Sequence, residues 1–334
     1  MLNETCYFEE PFDFMILHYI ALALSITVYG LAFYVLICKT PEHFRTYRNY
    51  LVVHIFSGVL LDFVMGVLWK VTVALPVPIM CSNTFISEYA PNVFQLLPLC
   101  FVYTGASIVS LFVYRMEAVI IHRSDQCNIR KLVRCLKYSF YLSIVVVVAF
   151  SVLIYHDLKN QKDYKVKMEK RFGPFKPFMW CDNCFFCNFD SITFLAFFLV
   201  AALTVTLGCT IGCIAFHVTV KSLNSFSSRM TPKTRAIQRN YLLSLTLAAI
   251  VHATCIVVPL FGVLTAMNLI IFLCEFRYFP FVLAMMMQEH GVVSTIILFV
   301  TNNLLRNAVK KLFFRGELIS TLENSGAIRE TTIS

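Results

Sequence analysis

Four ionisable side chains lie inside long apolar segments of this sequence, and they are its first candidates for chemistry. Asp62 lies in the middle of one segment, Arg115 lies near the end of another, and Glu289 and His290 are adjacent in a third. Ionisable side chains are costly to bury in hydrocarbon, so each of these groups is a functional hypothesis by default. They define the intramembrane polar and switch candidates.

Each of these groups also has a structural interpretation. Asp62 could bind an ion or a proton or change partners between two states, or it could only lock two helices together. Lys70 cannot pair with it, because eight helical residues separate the two by about 12 Å. Arg115 could form a lock with Glu117, or its guanidinium could reach the interface. His290 could be a polar switch or a structural hydrogen bonder.

The composition shows which elements must position these groups. The chain is 58% hydrophobic and only 14% charged, whereas soluble domains carry about 25% charged residues. Its apolar residues form long unbroken blocks, unlike the alternating strands of a porin-type barrel. About 20 apolar residues cross the hydrocarbon layer as a helix, and seven such blocks occur. We therefore predict an all-α membrane protein, a seven-transmembrane helix bundle.

The predicted bundle covers residues 1–302, and residues 303–334 form a tail. The predicted spans are approximately 14–38, 50–75, 94–121, 138–155, 192–220, 241–265 and 279–301. A further apolar run, Leu269–Cys274, is too short to span and is interpreted as a loop or a helix end.

Charge predicts the orientation of the bundle. The connections after spans one, three and five, together with the tail, carry 18 basic and 5 acidic residues. The N-terminal segment and the connections after spans two, four and six carry 8 basic and 11 acidic residues. Basic residues stay cytoplasmic, so the N-terminus is expected outside and the C-terminus inside. The formal net charge of +9 then reflects topology and attraction to anionic lipid, and it does not indicate nucleic-acid binding.

Two features agree with this orientation. The only N-x-S/T sequon begins at Asn3, on the segment expected outside, which makes Asn3 a glycosylation candidate. The outer loops also carry Cys81 and the group Cys181, Cys184 and Cys187, where disulfides are permitted. We expect one bridge from Cys81 to one of those three, and Cys6 could join as well. The spacing does not say which cysteine pairs.

The sequence after span seven predicts a short helix along the inner surface. Leu305, Ala308, Val309 and Leu312 recur at helical spacing, with Arg and Lys interleaved.

Signatures of enzymes are absent from the sequence. It contains no His-Glu-x-x-His motif, no Gly-rich phosphate loop and no nucleophile beside a plausible base. Except for His156, 25 residues upstream, no nearby His completes the outer cysteines as a zinc site. The other histidines of the spans are scattered along the sequence and form no ligand constellation: His18, His54, His217 and His252. We therefore predict no enzymatic activity, no cofactor and no metal.

An ordered set of short motifs resembles nematode serpentine chemoreceptors of class H or class I. The motifs cover nearly the whole membrane region and are Lys39-Thr40-Pro41-Glu42, Tyr47, Tyr50-Leu51, Asp62, Pro76-Val77-Pro78, Tyr114-Arg115, Thr234 with Gln238, Pro259, and His290-Gly291-x-x-Ser294-Thr295. The chain lacks the Asp-Arg-Tyr and Asn-Pro-x-x-Tyr motifs of rhodopsin-like receptors. A Gln that is common in the family near Ala248 is also missing.

The resemblance implies a G-protein-coupled chemoreceptor of the plasma membrane, for which the sensory cilium is one candidate location. Its implied partners are a small-molecule ligand, a heterotrimeric G protein and the lipid bilayer. Spans three, five, six and seven could hold the ligand against Tyr103, Thr104, Phe197 and Phe198, although a helical Phe stripe is more often lipid-facing or core.

Two other classes of membrane protein are alternatives. A ligand-gated cation channel of the insect odorant type also has seven spans, but its N-terminus lies inside, which the charge count opposes. A proton-coupled transporter would carry protons through Asp62 and Glu289 and would show flux that depends on both.

Overall fold

Seven helices of the computed structural model are long and apolar enough to cross a membrane, as the sequence predicts. The model describes residues 6, 12–40, 42–73, 79–82, 84–120, 127–159, 161–188, 190–225, 232–259, 279–303, 305–310 and 312. The helices are α1 Phe12–Tyr34, α2 Arg45–Phe63, α3 Ala90–Ile120, α4 Cys127–Leu153, α5 Tyr155–Lys159, α6 Lys162–Phe172, α7 Ile192–Ser225, α8 Pro232–His252 and α9 Phe279–Thr301. The first three spans are α1, α2 and α3. The fourth span is α4 together with α5, which continues it, and spans five, six and seven are α7, α8 and α9.

Three spans contain a π-helical turn. These turns are Val35–Lys39 after α1, Val64–Trp69 after α2 and Ala253–Val257 after α8. Span two stops at the second of them, because Lys70 takes a left-handed conformation with φ of 43°. The predicted end of span two, near residue 75, is therefore too late.

Spans four and six begin earlier than the apolar blocks indicate. α4 starts at Cys127 and α8 at Pro232, where the blocks place the starts at residues 138 and 241. The early turns carry Lys and Arg, which are good helix formers although they do not belong in hydrocarbon. The run Leu269–Cys274 lies outside the described residues.

A small antiparallel sheet covers one end of the bundle, which we call the cap end. Its strands are β1 Val71–Val73, β2 Ile79–Ser82 and β3 Cys184–Phe186, with β2 in the centre. The sequence did not predict this sheet, because β1 continues the apolar block of span two. Trp69 lies beneath it, fully buried, with its ring stacked on Phe185.

The opposite end, the tail end, carries the helical residues 305–310. Leu305 is fully buried, and Ala308 and Val309 pack on the same hydrophobic core. That core also includes Tyr47 of span two and Tyr241 of span six, so this segment lies against the base of the bundle.

Candidate functional site

Asp62 is joined to span one through Tyr29. The Tyr29 hydroxyl donates a 2.5 Å hydrogen bond to Asp62 Oδ2, and only 4% of Asp62 is exposed. Within the described residues, Asp62 Oδ1 has no hydrogen-bond partner. The carboxyl therefore links spans one and two, and its Oδ1 atom remains a buried acceptor that could bind a further donor.

Two glycines bring span seven against this pair. A methyl group at Gly291 would overlap the Tyr29 hydroxyl and would come within 3.0 Å of the Cα of Gly58. The backbones of spans two and seven therefore meet here directly, and no larger residue than glycine fits the seam. Gly291, the residue after His290, permits this close approach.

Glu289 faces span one rather than its neighbour His290. Its Oε2 lies 3.5 Å from the Ser25 hydroxyl, which donates to it, and its Oε1 accepts a 3.2 Å bond from the Gln288 amide. Ser25 lies one helical turn before Tyr29 on α1. Ser25, Tyr29, Asp62 and Glu289 therefore form one polar group, which we call the carboxyl cluster.

Three histidines from three spans lie in a row in the bundle interior, with neighbouring ring planes tilted by 39° and 84°. The ring centroids of His54 and His252 are 5.1 Å apart, and those of His252 and His290 are 4.9 Å apart. All three are buried. The scattered sequence positions gave no sign of this group, which we call the histidine row, because the three helices contribute one residue each.

The hydrogen bonds of the histidine row indicate which nitrogens carry protons. The Nδ1 atoms of His252 and His290 each lie 2.8 Å from a carbonyl oxygen of their own helix. A carbonyl only accepts, so these Nδ1 atoms donate and the Nε2 atoms keep their lone pairs. Neither Nε2 atom has a partner in the part of the chain that the structure describes. His54 Nδ1 lies 2.8 Å from the Ser107 hydroxyl.

Arg115 is held in an aromatic cage near the tail end of span three. Its guanidinium carbon lies 3.7 Å from the centre of the Tyr47 ring and 4.3 Å from that of Tyr241. Its Nη1 donates a 3.2 Å hydrogen bond to Gln238 Oε1. Arg115 is buried and Glu117 is exposed, so the guanidinium points to span six rather than to Glu117 or to the interface.

The Arg115 cage leaves donors unsatisfied. The guanidinium Nε and Nη2 have no hydrogen-bond partner among the described residues. Aromatic faces stabilise the charge of a cation, but they do not replace an acceptor for each N–H group. Within the described residues, the guanidinium therefore has two buried N–H donors without an acceptor.

The four predicted ligand residues do not converge on one cavity. Thr104 is fully buried, and its hydroxyl donates to the Ser57 carbonyl at 3.4 Å. Phe197 and Phe198 pack on each other in the core near the cap end. Tyr103 lines a separate groove between spans two and three.

Two disulfides tie the cap end together. Cys81 pairs with Cys184, its partner across β2 and β3, and Cys6 pairs with Cys181. Cys187 is a buried thiol, and burial raises its pKa to about 12. Asn3 lies outside the described residues.

A buried lysine completes the cap. Lys165 of α6 donates a 2.8 Å hydrogen bond from Nζ to the Cys181 carbonyl. Burial lowers the pKa of this ammonium to about 8, against the opposing effect of the Asp182 carboxylate. In the described ranges, no three His, Cys, Asp or Glu side chains are placed to hold a metal ion.

The seven long apolar helices define a seven-transmembrane bundle. The family model described as serpentine type 7TM GPCR chemoreceptor Srh matches residues 9–315, and the chain belongs to this family. Of the two classes that the motifs resemble, this is class H. The protein is therefore a multi-pass plasma-membrane protein of a chemoreceptor family, which is a receptor class rather than an enzyme class. No curated protein matches the chain.

Proposed function

We propose that this protein binds a small-molecule chemical cue within the bundle and passes the signal to a heterotrimeric G protein at the Arg115 cage. The observation that carries the proposal is the pair of buried Arg115 guanidinium nitrogens that have no hydrogen-bond partner among the described residues. A partner that supplies carbonyl or carboxylate oxygens at the tail end would satisfy them, because charged hydrogen bonds are the strong ones.

In this proposal the tail end is cytoplasmic and the cap end is extracellular. The basic residues of the connections support that orientation through the positive-inside rule. The disulfides Cys6–Cys181 and Cys81–Cys184 suit an oxidising compartment. N-glycosidase treatment tests the orientation: we expect a gel shift that Asn3→Gln abolishes. An N-terminal tag that antibody reaches only after permeabilisation would contradict it.

Signalling requires two arrangements of the cage with different affinities for the G protein. In the described arrangement Gln238 of span six holds Nη1 of Arg115. Displacement of span six would free that nitrogen as well, and the guanidinium would then present its donors to the partner. A cue that binds the second arrangement better would populate it.

Basal G-protein activation tests this role without a known cue. We would measure nucleotide exchange on a panel of Gα subunits by receptor in nanodiscs. Gln238→Leu should raise exchange because it releases Arg115, and Arg115→Leu should abolish it. Arg171→Leu, which removes an exposed arginine of α6 at the cap end, is the matched control and should leave exchange unchanged. Equal exchange by all four proteins, including none at all, would count against the proposal.

The carboxyl cluster supports one rival, a proton-coupled transporter, because Asp62 and Glu289 lie in the same polar group. Proteoliposomes loaded with a pH-sensitive dye separate the two functions. A receptor should show no proton flux above that of empty liposomes. A flux that Asp62→Asn and Glu289→Gln each abolish would assign the cluster to transport instead.

A further inference from the structure

We propose that the outward face of α6 binds a sulfated polysaccharide outside the cell. This binding rests on the extracellular cap end of the proposed function, but it requires neither a chemical cue nor a G protein. The face, which we call the lysine face, consists of the exposed residues Lys162, Asp163, Val166, Lys167 and Lys170.

Positive charge is concentrated in this part of the cap. Seven of the eight basic residues that the sequence places on the cap side lie between Lys159 and Lys176, with two acidic residues among them. Basic residues in short connections favour the cytoplasm, so this run opposes the orientation that the rest of the chain indicates. A cluster of Lys and Arg this dense is typical of sites that bind nucleic acid or heparin-like polyanions.

The lysine face points away from the bundle, because the cap sheet lies between them. Met80 and Phe185 pack on the bundle core, whereas Ile79 and Phe186 pack with Met168 of α6. Neighbouring residues of a strand point to opposite sides of a sheet, so α6 and the bundle lie on opposite sides of the cap sheet. The exposed side of α6 is therefore the outer layer here, and the receptor's own bilayer is not its partner.

The cap holds α6 in place through contacts with backbone groups. The Gln161 amide donates a 2.7 Å hydrogen bond to the Phe186 carbonyl oxygen and accepts a 2.6 Å bond from the Phe186 N–H. Lys165 Nζ donates to the Cys181 carbonyl oxygen. A helix of 11 residues is marginal on its own in water. Because the cap fixes the helix, the exposed lysines keep their spacing and less conformational entropy is lost when a ligand binds.

The spacing of the lysines suits a linear anion. Lys162 and Lys170 lie two turns apart in one row of the helix, about 12 Å along the axis, and Lys167 lies between them in the next row. A helix surface is convex, so these ammonium groups do not converge on one small anion. Sulfates repeated along a chain can meet them in turn, and each ammonium donates charged hydrogen bonds to sulfate oxygens.

Two carboxylates limit the positive charge of the lysine face. Lys167 Nζ lies 2.7 Å from Asp190 Oδ2, and both side chains are exposed. Exposed ion pairs contribute little free energy, so a sulfate can take the place of the Asp190 carboxylate. Asp163 is the acid among the five residues of the face, and it repels an anion. The binding is therefore expected to be sensitive to salt.

The composition of the lysine face argues against two other partners. Val166, 42% exposed, is the one large apolar residue among its five members, whereas the core of a protein–protein interface is rich in aromatic side chains and poor in Lys. The same five residues include no aromatic ring on which single-stranded nucleic acid could stack. A sulfated polysaccharide requires only the charges.

Binding of a fluorescent heparin hexasaccharide to intact cells tests the lysine face. The cells make no sulfated glycans of their own and display the receptor with an N-terminal tag. We expect saturable binding that weakens at least about tenfold between about 0.1 M and about 0.5 M NaCl, because salt screens exposed charges. The combined change Lys162→Gln, Lys167→Gln and Lys170→Gln should also weaken it at least about tenfold, since Gln keeps the helix but removes the charge.

A second triple variant controls for net charge. Lys131→Gln, Lys221→Gln and Lys310→Gln together remove the same charge from exposed positions at the tail end, and binding should stay unchanged. Antibody staining of the tag shows that each variant reaches the surface. A desulfated hexasaccharide should not bind.

Three results would overturn the polysaccharide site. The first is the absence of saturable binding, and the second is full binding by the α6 triple variant. The third is equally strong binding of a poly-glutamate peptide of the same charge, which would assign the lysine face to an acidic protein partner.

Two further results keep this site and the proposed function apart. Hexasaccharide binding that appears only after permeabilisation would overturn the extracellular cap end and the polysaccharide partner together. Binding from outside that requires the α6 lysines, with no Gα exchange by any receptor variant, would overturn the proposed G-protein coupling and leave the lysine face standing.

Discussion

The guanidinium carbon of Arg115 lies 3.7 Å from the centre of the Tyr47 ring, so the cation nearest the base of span three rests on an aromatic face. Tyr241 supplies a second face at 4.3 Å. Inside the bundle, the Arg115 guanidinium thus contacts two aromatic rings and the Gln238 amide oxygen.

This contact predicts an unusual order of stability at position 47. Tyr47→Leu should lower the free energy of unfolding by about 1–2 kcal/mol, because it removes the cation–π contact. Tyr47→Phe should be at least as stable as wild type, since the buried Tyr47 hydroxyl has no partner among the described residues. Thermal unfolding of the purified variants measures the order, and equal stability of the Leu and Phe variants would contradict it.

The seam between spans two and seven predicts a contrast between two glycines. Gly291→Ala should destabilise the bundle by more than about 2 kcal/mol, because the methyl group meets the Tyr29 hydroxyl and the Gly58 backbone. Gly212→Ala meets nothing within 4 Å and should be neutral or stabilising by up to about 1 kcal/mol. The apparent melting temperatures of the two variants in detergent measure this contrast. Similar shifts for both variants would exclude the close approach of Gly291 to Gly58.

The Tyr29–Asp62 hydrogen bond predicts a loss of stability on removal of one hydroxyl. Tyr29→Phe leaves the buried carboxyl without its described donor and should cost about 1–2 kcal/mol. Tyr19 of the same helix is 60% exposed, so Tyr19→Phe is the matched control and should change nothing. The same melting experiment measures both, and a neutral Tyr29→Phe would show that the bond contributes little.

The cap predicts which cysteines are paired. Non-reducing peptide mapping should recover cross-linked peptides that join Cys6 to Cys181 and Cys81 to Cys184. Cys81→Ser should destabilise the protein by about 2–4 kcal/mol, whereas Cys187→Ser removes no bridge. A peptide that joins Cys81 to Cys187 would contradict the described pairing.

Lys165 predicts a dependence of stability on alkaline pH. Its pKa is about 8 in the folded protein and 10.5 for an ordinary lysine. Between these values the unfolded chain binds the extra proton, so stability should rise with pH by at most about 1.4 kcal/mol per unit. Below pH 8, Lys165 is protonated in both the folded and the unfolded state, so it does not change the stability with pH there.

Thermal unfolding at pH 7.5, 8.5 and 9.5 checks the Lys165 effect. The rise should disappear in Lys165→Met and persist in Lys170→Met, which replaces an exposed lysine of the same helix. An identical pH profile for wild type and Lys165→Met would show that the burial of Lys165 has no such consequence.

The seven spans could be predicted from the sequence because hydrocarbon thickness sets the length of an apolar block. Block edges were less reliable, since α4 and α8 begin within cationic segments that remain helical. The cap sheet was missed because Val71–Val73 is as apolar as the helix before it. Only the left-handed turn at Lys70 separates the two.

The polar groups were found one at a time, but their partners were not. Asp62, Arg115, Glu289 and His290 stand out as ionisable residues in apolar blocks, whereas the face that each presents depends on helix rotation and packing. The sequence did contain one indication of the Arg115 cage. Tyr47, Arg115 and Gln238 lie in three separate motifs of the family resemblance, and the structure brings all three together.

The two disulfides have a consequence for a nicked chain. Any single cut between residues 82 and 180 falls inside both covalent loops, because one bridge joins Cys6 to Cys181 and the other joins Cys81 to Cys184. A receptor cleaved between spans three and four would therefore migrate as one molecule until reductant is added. Its halves would remain linked at the cap, so a protease that cuts this segment on the tail side would leave one covalently joined receptor.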